Sequence, residues 1–147
     1  AGFLYFAGRS VDRLRVGGEN FPAAPVSRLL TRHPEVVEAV VYAVPDPVAG
    51  DQVMAAVVPL PGFDPSGFLD WVAAQPDCSP QWLPRFLRVV ADPLRTATGK
   101  VVVRTLAAAR WDEPDVWIRD QDRLRPMTEE DRAALVQEFV RSGRVLP

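Results

Sequence analysis

The stretch Thr96-Ala97-Thr98-Gly99-Lys100 has the composition of an anion-handling loop. Small and hydroxylated residues let backbone N–H groups approach a phosphate or carboxylate, and the ammonium of Lys100 adds a compact positive charge that an arginine would not reproduce sterically. The charge is also singular: of 17 Lys plus Arg residues, Lys100 is the one lysine. A Walker A loop would need Gly at position 94 and Ser or Thr at 101, but Leu94 and Val101 stand there, so the magnesium-coordinating hydroxyl is missing and a P-loop is rejected. The plain reading is a solvent-exposed lysine near a helix start. Val101 to Trp111 has helical spacing, however, with Val102, Leu106 and Ala109 on one face. A cation at a helix N-terminus opposes the macrodipole, an arrangement that makes better sense with an anionic ligand between them.

Other chemistry-bearing residues point to less. A lone cysteine, Cys78, and a lone histidine, His33, cannot assemble a disulfide or a structural zinc site, and no metal site is expected. His33 precedes Pro34 and reads as a helix-end residue; Cys78 sits in a proline-rich loop without a basic neighbour to activate its thiol. Trp71, Trp82, Trp111 and Trp117 have no accompanying basic stripe and read as packing residues rather than base-stacking platforms. Asp120, Asp122 and the Glu129–Asp131 run read as solvated turns and a helix start.

The elements that would position these residues follow from hydropathy. With 147 residues, 48% hydrophobic and 24% charged, the chain suits one domain with a substantial core. A net charge of −2 offers nothing to nucleic acid. No apolar run approaches the roughly 20 residues of a bilayer span, and the start lacks a signal-peptide pattern, so a soluble cytoplasmic location is expected. Gly2–Ala7 suits a strand that looks like a cut edge. Leu14 and Val16 alternate with Arg13 and Arg15 as a short half-buried strand ending in a turn at Gly17-Gly18. Ala24 to Arg32 predicts a helix burying Val26, Leu29 and Leu30. The valine-dominated run to Val44, apolar on both faces, predicts an inner strand, paired as a hairpin with Gln52 to Val58. Asp64-Pro65 opens a helix with Phe68, Leu69, Val72 and Ala73 inward, and Ser79-Pro80 caps a single turn before a strand at Phe86 to Val90. A small strand pair is expected at Val116–Arg119 and Arg123–Pro126, then a capped helix burying Leu135, Val136 and Phe139. The sum is an α/β (mixed α+β) domain with five or six short strands and four helices, a short mixed sheet packed with helices.

Larger patterns surround the lysine. Leu83-Pro84-Arg85-Phe86, Pro93-Leu94-Arg95-Thr96-Ala97-Thr98-Gly99-Lys100, Arg104 and Leu106 together resemble the final signature of adenylate-forming enzymes, the superfamily of acyl-CoA synthetases, peptide-synthetase adenylation domains and firefly-type luciferases. Gly8-Arg9-Ser10-Val11-Asp12-Arg13 through Gly17-Gly18-Glu19-Asn20 is similar to the signature at the junction of that family's two domains. His33-Pro34-Glu35 through Val44-Pro45-Asp46 and Gly50-Asp51 is similar to the stretch that follows it. The tail with Val116-Trp117-Ile118 and Arg125-Pro126-Met127-Thr128 resembles the fatty-acid-transport or very-long-chain branch.

The resemblance implies the small C-terminal lid domain of an acyl-CoA synthetase, with residues 1–10 as the junction from a missing N-terminal domain and 11–147 as the AMP-binding C-terminal domain. It implies a fatty acid-CoA ligase that uses ATP, with Mg2+ held through the missing domain, to make an acyl adenylate and passes the acyl group to coenzyme A. Its partners would be its own N-terminal domain and a fatty or related carboxylic acid, with any membrane association left to that missing domain. Lys100 matches the lysine that reaches the carboxylate and the α-phosphate during adenylation. Arg9 matches the residue on the AMP ribose, and Gly17, Gly18, Glu19 and Asn20 match the turn presented to coenzyme A, where glycines let backbone approach a narrow thiol channel. Glu19-Asn20 favours coenzyme A over a carrier protein. The family's pivot is commonly Asp or Lys; here Val11 falls at that place and Asp12 matches the next acidic residue, so Val11 and Asp12 are the expected hinge. Two alternatives stay open: an adenylation domain serving a carrier-protein thiol, and a non-catalytic interaction domain on the same scaffold.

Overall fold

A computed structural model describes residues 12–91 and 103–146. The expected strand at Gly2–Ala7, together with Arg9, Val11, the 93–100 loop and Val102, lies outside the described residues. Among those described, seven strands fall into a two-stranded sheet and a five-stranded one.

Strands β1 (Arg13–Val16) and β2 (Glu19–Pro22) form a hairpin in which Val16 faces Glu19, leaving Gly17-Gly18 as a two-residue turn. Their φ values of 58° and 85° are left-handed, the requirement of a tight hairpin turn that glycine meets without strain. Strand β2 was not expected, because Glu19-Asn20-Phe21-Pro22 lacks clear alternation; backbone pairing with β1 makes it, and it lifts the strand number above the expected five or six. Helix α1 (Ala23–Thr31) follows at once and buries Val26, Leu29 and Leu30. It ends where Arg32 and His33 close on the carbonyls of Leu29 and Leu30 and Pro34 prevents continuation.

Strands β3 (Val36–Pro45) and β4 (Asp51–Pro59) form the expected antiparallel hairpin. Strand β3 is nevertheless the edge of the larger sheet, whose order is β3-β4 followed by β5 (Phe86–Val89), β6 (Val116–Asp120) and β7 (Arg123–Pro126). It reads as an inner strand because α1 covers one of its faces and α3 (Val103–Ala109) the other. Hydropathy reports burial of the two faces, not the presence of a lateral neighbour.

Between β4 and β5 the chain makes a 3-10 turn at Pro65–Gly67, capped by the Asp64 carboxylate accepting from Ser66 N–H at 3.0 Å, and a short helix α2 (Phe68–Ala73). Phe68, Leu69 and Val72 are buried, whereas Ala73 is exposed, one position past the inward stripe. The turn at Pro80–Trp82 forms, but the Ser79 hydroxyl donates to the Gln81 side chain rather than capping it. The connection lets β5 pair parallel to β4, Met54 opposite Phe86, in an otherwise antiparallel sheet. Strands β6 and β7 pair as expected and also extend the main sheet, Ile118 opposite Phe86.

Alternation along β4 divides the interior. Val53, Ala55 and Val57 face a core closed by β1, α1 and α2; Met54 and Ala56 face a second core containing Tyr42, Phe86, Leu106 and Trp111. Helix α4 (Glu129–Ser142) closes that second core with Leu135 and Phe139, while Val136, next along the helix, stays 40% exposed, contrary to expectation. A narrow i, i+4 stripe suffices because α4 lies at the rim of the sheet. Its start is a capping box: Thr128 Oγ1 accepts from Asp131 N–H at 3.2 Å and the Asp131 carboxylate accepts from Thr128 N–H at 2.8 Å. Arg125 grips the same carboxylate with both Nη atoms at 2.6 and 2.9 Å, holding the Asp131 carboxyl well below its usual range.

Candidate functional site

The two-glycine turn sits on the first face of the sheet, and Gly17, Gly18, Glu19 and Asn20 are all exposed. It is held from behind. Arg15 N–H donates to the Asp51 carboxylate at 2.9 Å, and Gly50, with φ 66°, lies so close to Arg15 that a Cβ there would fall 2.6 Å from the Arg15 carbonyl oxygen. Burial of Asp51 pushes its carboxyl upward, against the Arg15 hydrogen bond and the nearby charge of Arg144.

Beside the turn lies a cleft of about 350 Å³ lined by Gly17, Asp51, Gln81, Leu83, Arg85 and Arg119 among others. The two arginines are locked by backbone contacts. Arg85 Nη1 donates to the Arg119 carbonyl at 2.6 Å, Arg119 Nη1 donates to the Leu83 carbonyl at 3.3 Å, and Arg119 N–H donates to the Arg85 carbonyl at 2.8 Å. Among the described residues neither guanidinium makes an ion pair, unlike Arg32, Arg88, Arg125 and Arg132. The Arg85 Nε is buried without a partner, and the Arg119 guanidinium is pushed below its usual range, first by burial and then by the charge of Arg85. Two neighbouring cations held at backbone carbonyls thus share a cleft with an open glycine turn and with the carboxyl-bearing Asp46 and Asp51, a charge arrangement able to meet a polar, anion-bearing ligand.

Of the residues expected in the site, Gly17 reaches the cleft wall, while Gly18 completes the turn and Glu19 and Asn20 begin β2, none of these three lining the cleft. Asp12 is exposed, and its carbonyl accepts Ala23 N–H at 2.8 Å, which ties its backbone to the start of α1. Lys100, Arg9 and Val11 lie outside the described residues. Helix α3, which begins three residues after Lys100, packs Leu106 into the second core, opposite the glycine turn. Arg119 was not singled out by sequence; its signal is the alternation Val116, Ile118 inward against Trp117, Arg119 on the other face.

The remaining candidates behave as packing residues. His33 packs edge-on or tilted against Phe63, Phe68 and Trp71 with ring centroids 5.7, 5.3 and 4.8 Å away, its Nδ1 accepts Glu35 N–H at 3.0 Å, and burial lowers its pKa against the opposing charge of Glu35. The Cys78 thiol is pushed upward by burial and then by Asp77, which makes it a poor nucleophile. No cluster of three potential metal ligands occurs among the described residues, and none of their helices is long and apolar enough to cross a membrane.

Comparison with known families gives a match over residues 26–100 to one described as the AMP-binding enzyme C-terminal domain. This chain belongs to that family. Its relatives include the steroid-22-oyl-CoA synthetase of Rhodococcus jostii (strain RHA1), 48% identical over 98% of this chain and 27% of that protein. Another is the medium/long-chain-fatty-acid–CoA ligase FadD17 of Mycobacterium marinum (strain ATCC BAA-535 / M), 50% identical over 82% of this chain and 25% of that protein. Among solved structures, a double mutant of the o-succinylbenzoate CoA synthetase of Bacillus subtilis, bound with its product analogue OSB-NCoA, superposes with a TM-score of 0.60 at 27% identity, over 68% of this chain and 20% of that one. The chain thus spans about a quarter of the length of the curated relatives it matches. As an AMP-binding enzyme C-terminal domain it has a mixed α+β architecture, and the family match stops at Lys100, so α3, β6, β7 and α4 lie beyond it. Arg119 belongs to that added portion of the domain.

Proposed function

We propose that this chain is the C-terminal part of an AMP-forming acid–CoA ligase acting on a fatty or related carboxylic acid, and that the cleft beside Gly17 receives the phosphate-bearing arm of coenzyme A. The observation that carries the reading is the juxtaposition of an open glycine turn with two guanidiniums that have no carboxylate partner among the described residues. A thiol on a narrow arm needs backbone that approaches closely, and its phosphates need cations already in place. The family membership and the names of the relatives point to the same chemistry.

In the proposed reaction a substrate carboxylate oxygen attacks the α-phosphorus of ATP, forming an acyl adenylate and releasing pyrophosphate. The coenzyme A thiolate then attacks the acyl carbonyl and expels AMP. Lys100 would neutralise the charge shared by the carboxylate and the α-phosphate in the first step, and Arg9 would hold the ribose hydroxyls. ATP and its Mg2+ would be bound chiefly by a partner domain that precedes this chain. The segment that Lys100 leads into packs on one face of the sheet and the glycine turn sits on the other. The domain would therefore turn between half-reactions, withdrawing one face and presenting the other. Because the Asp12 carbonyl is tied to α1, the pivot would lie at Val11, ahead of that bond.

The decisive experiment is an assay of the full-length protein with ATP, coenzyme A and a panel of fatty, branched and sterol-derived acids. Acyl-CoA, AMP and pyrophosphate should form in equal amounts. Transfer to a carrier-protein thiol with none to coenzyme A would overturn the choice of acceptor, and absence of pyrophosphate release with every acid would overturn the ligase reading. The isolated 147 residues should release no pyrophosphate.

A further inference from the structure

The loop joining β3 to β4 is held from two sides. On one side the C-terminal residues clasp it. Gly143, left-handed at φ 76°, ends α4 and turns the chain so that Arg144 Nη1 donates to the carbonyls of Asp46 and Gly50, the latter at 2.7 Å. Ser142 Oγ donates to the Pro47 carbonyl and accepts Arg144 N–H at 3.3 Å. Three carbonyls of a five-residue loop are thereby engaged, while the Asp46 carboxylate satisfies Val48 and Ala49 N–H from inside at 2.8 and 3.2 Å.

On the other side the same loop is the seat of the glycine turn. Gly50 packs against the Arg15 carbonyl with no room for a side chain, and Asp51 accepts Arg15 N–H; Val16 and Gly17 come next. Asp46, Val48, Ala49 and Asp51 also line the cleft that Gly17 borders. A displacement of the loop would therefore move the turn and reshape the cleft together. None of the clasp residues lies within the part of the chain that the family match covers.

We propose that Arg144, with Ser142, is a positioning residue for the thioester step: by fixing the 46–50 loop it sets the Gly17-Gly18 turn and the cleft wall at the distance the acceptor arm requires. The proposal rests on the acid–CoA ligase reading above. It assigns the C-terminal segment a task on the first face of the sheet, although α4 itself packs on the second. Adenylation, which uses the other face, should not depend on it.

The test separates the half-reactions in the full-length protein carrying Arg144→Ala or Arg144→Lys. Thioester formation from supplied acyl adenylate is followed against coenzyme A concentration, and acid-dependent ATP–pyrophosphate exchange is measured beside it. A misplacement on the ångström scale should raise the KM for coenzyme A about tenfold in Arg144→Ala. Exchange should stay within about twofold of wild type, since the residue lies away from that chemistry. Lysine, which can still donate to both carbonyls, should restore part of the loss. An unchanged KM for coenzyme A in Arg144→Ala, or equal losses in both half-reactions, would overturn the positioning role. Failure of the wild-type protein to make any thioester would instead sink the ligase reading on which it stands.

Discussion

On one face of the main sheet, Val53, Ala55 and Val57 pack beneath the β1–β2 hairpin, α1 and α2; on the other, Met54 and Ala56 of the same strand pack beneath α3 and α4. The first face opens at one end into a cleft with two backbone-held arginines and an exposed turn. The second is sealed by aromatic residues, Tyr42, Phe86 and Trp111, and at its rim Arg88 is paired to Glu113 and Asp115 at 3.5 and 3.3 Å. Under the proposed ligase reading, the difference would let a small domain serve two reaction steps. One strand acts as a partition, so each face can carry its own chemistry without disturbing the packing of the other.

The most severe break of that comparison should come at Lys100, which precedes α3 by three residues in sequence. Lys100→Ala in the full-length protein is expected to cut acyl-adenylate formation by about 10³-fold or more, as loss of a transition-state charge partner does, and to leave thioester formation from supplied adenylate nearly unchanged. Equal adenylation rates in mutant and wild type would remove the lysine from the mechanism. Next in size is the second core. Phe86 is fully buried against Trp111, their ring centroids 6.4 Å apart, and Phe86→Ala should cost about 3–5 kcal/mol in urea unfolding. A loss below 1 kcal/mol would show that the second core can collapse around the gap.

A smaller and one-sided effect is expected on the first face. Arg119→Ala should weaken coenzyme A binding by about 10- to 100-fold, the range for a hydrogen bond to a charged group, and leave pyrophosphate exchange intact. Titration calorimetry with coenzyme A and with its dephospho form would show how much of the loss resides in a single phosphate. The smallest effect concerns the rim. The Asp131 carboxyl is held below its ordinary value, chiefly by Arg125, so it binds its proton more weakly in the folded protein. Its contribution is fully present above the unfolded value near 4 and fades as pH falls below that. Asp131→Asn should therefore lower the melting temperature at pH 7, and the gap to wild type should begin to narrow as the pH falls below the ordinary carboxylate value near 4 and keep narrowing toward the depressed folded value. A constant difference across that range would assign the effect to the helix cap alone.

Much of this arrangement was legible because it rests on local signals. The β3–β4 hairpin, the capping box at Thr128 and the inward stripe of α1 follow from alternation, a hydroxyl three residues before an acid, and helical spacing. What escaped depends on distant parts of the chain. Strand β3 looked internal because helices cover both its faces. Strand β2 exists through its partner, and Val136 and Ala73 are exposed because each helix buries a narrower stripe than its hydrophobicity suggests. In the candidate site, Gly17-Gly18 announces itself as a turn, but nothing in the sequence says that Arg119, beyond the family match, comes to stand beside it. That pairing is made by β6 joining β5.

The clasp at Arg144 and the contact of Arg15 with Gly50 and Asp51 bring the first strand and the last residues of the structure to the same loop. Two stretches far apart in sequence thus meet on one loop, the kind of proximity that circular permutation exploits. A linker could join Leu146 to Asp12, the limits of the described residues, with new ends opened at the solvent-facing Pro61-Gly62 turn, where a glycine at φ 92° has nothing within 4 Å of its would-be Cβ. Such a permutant would keep both cores and the cleft while changing the point from which the domain is tethered.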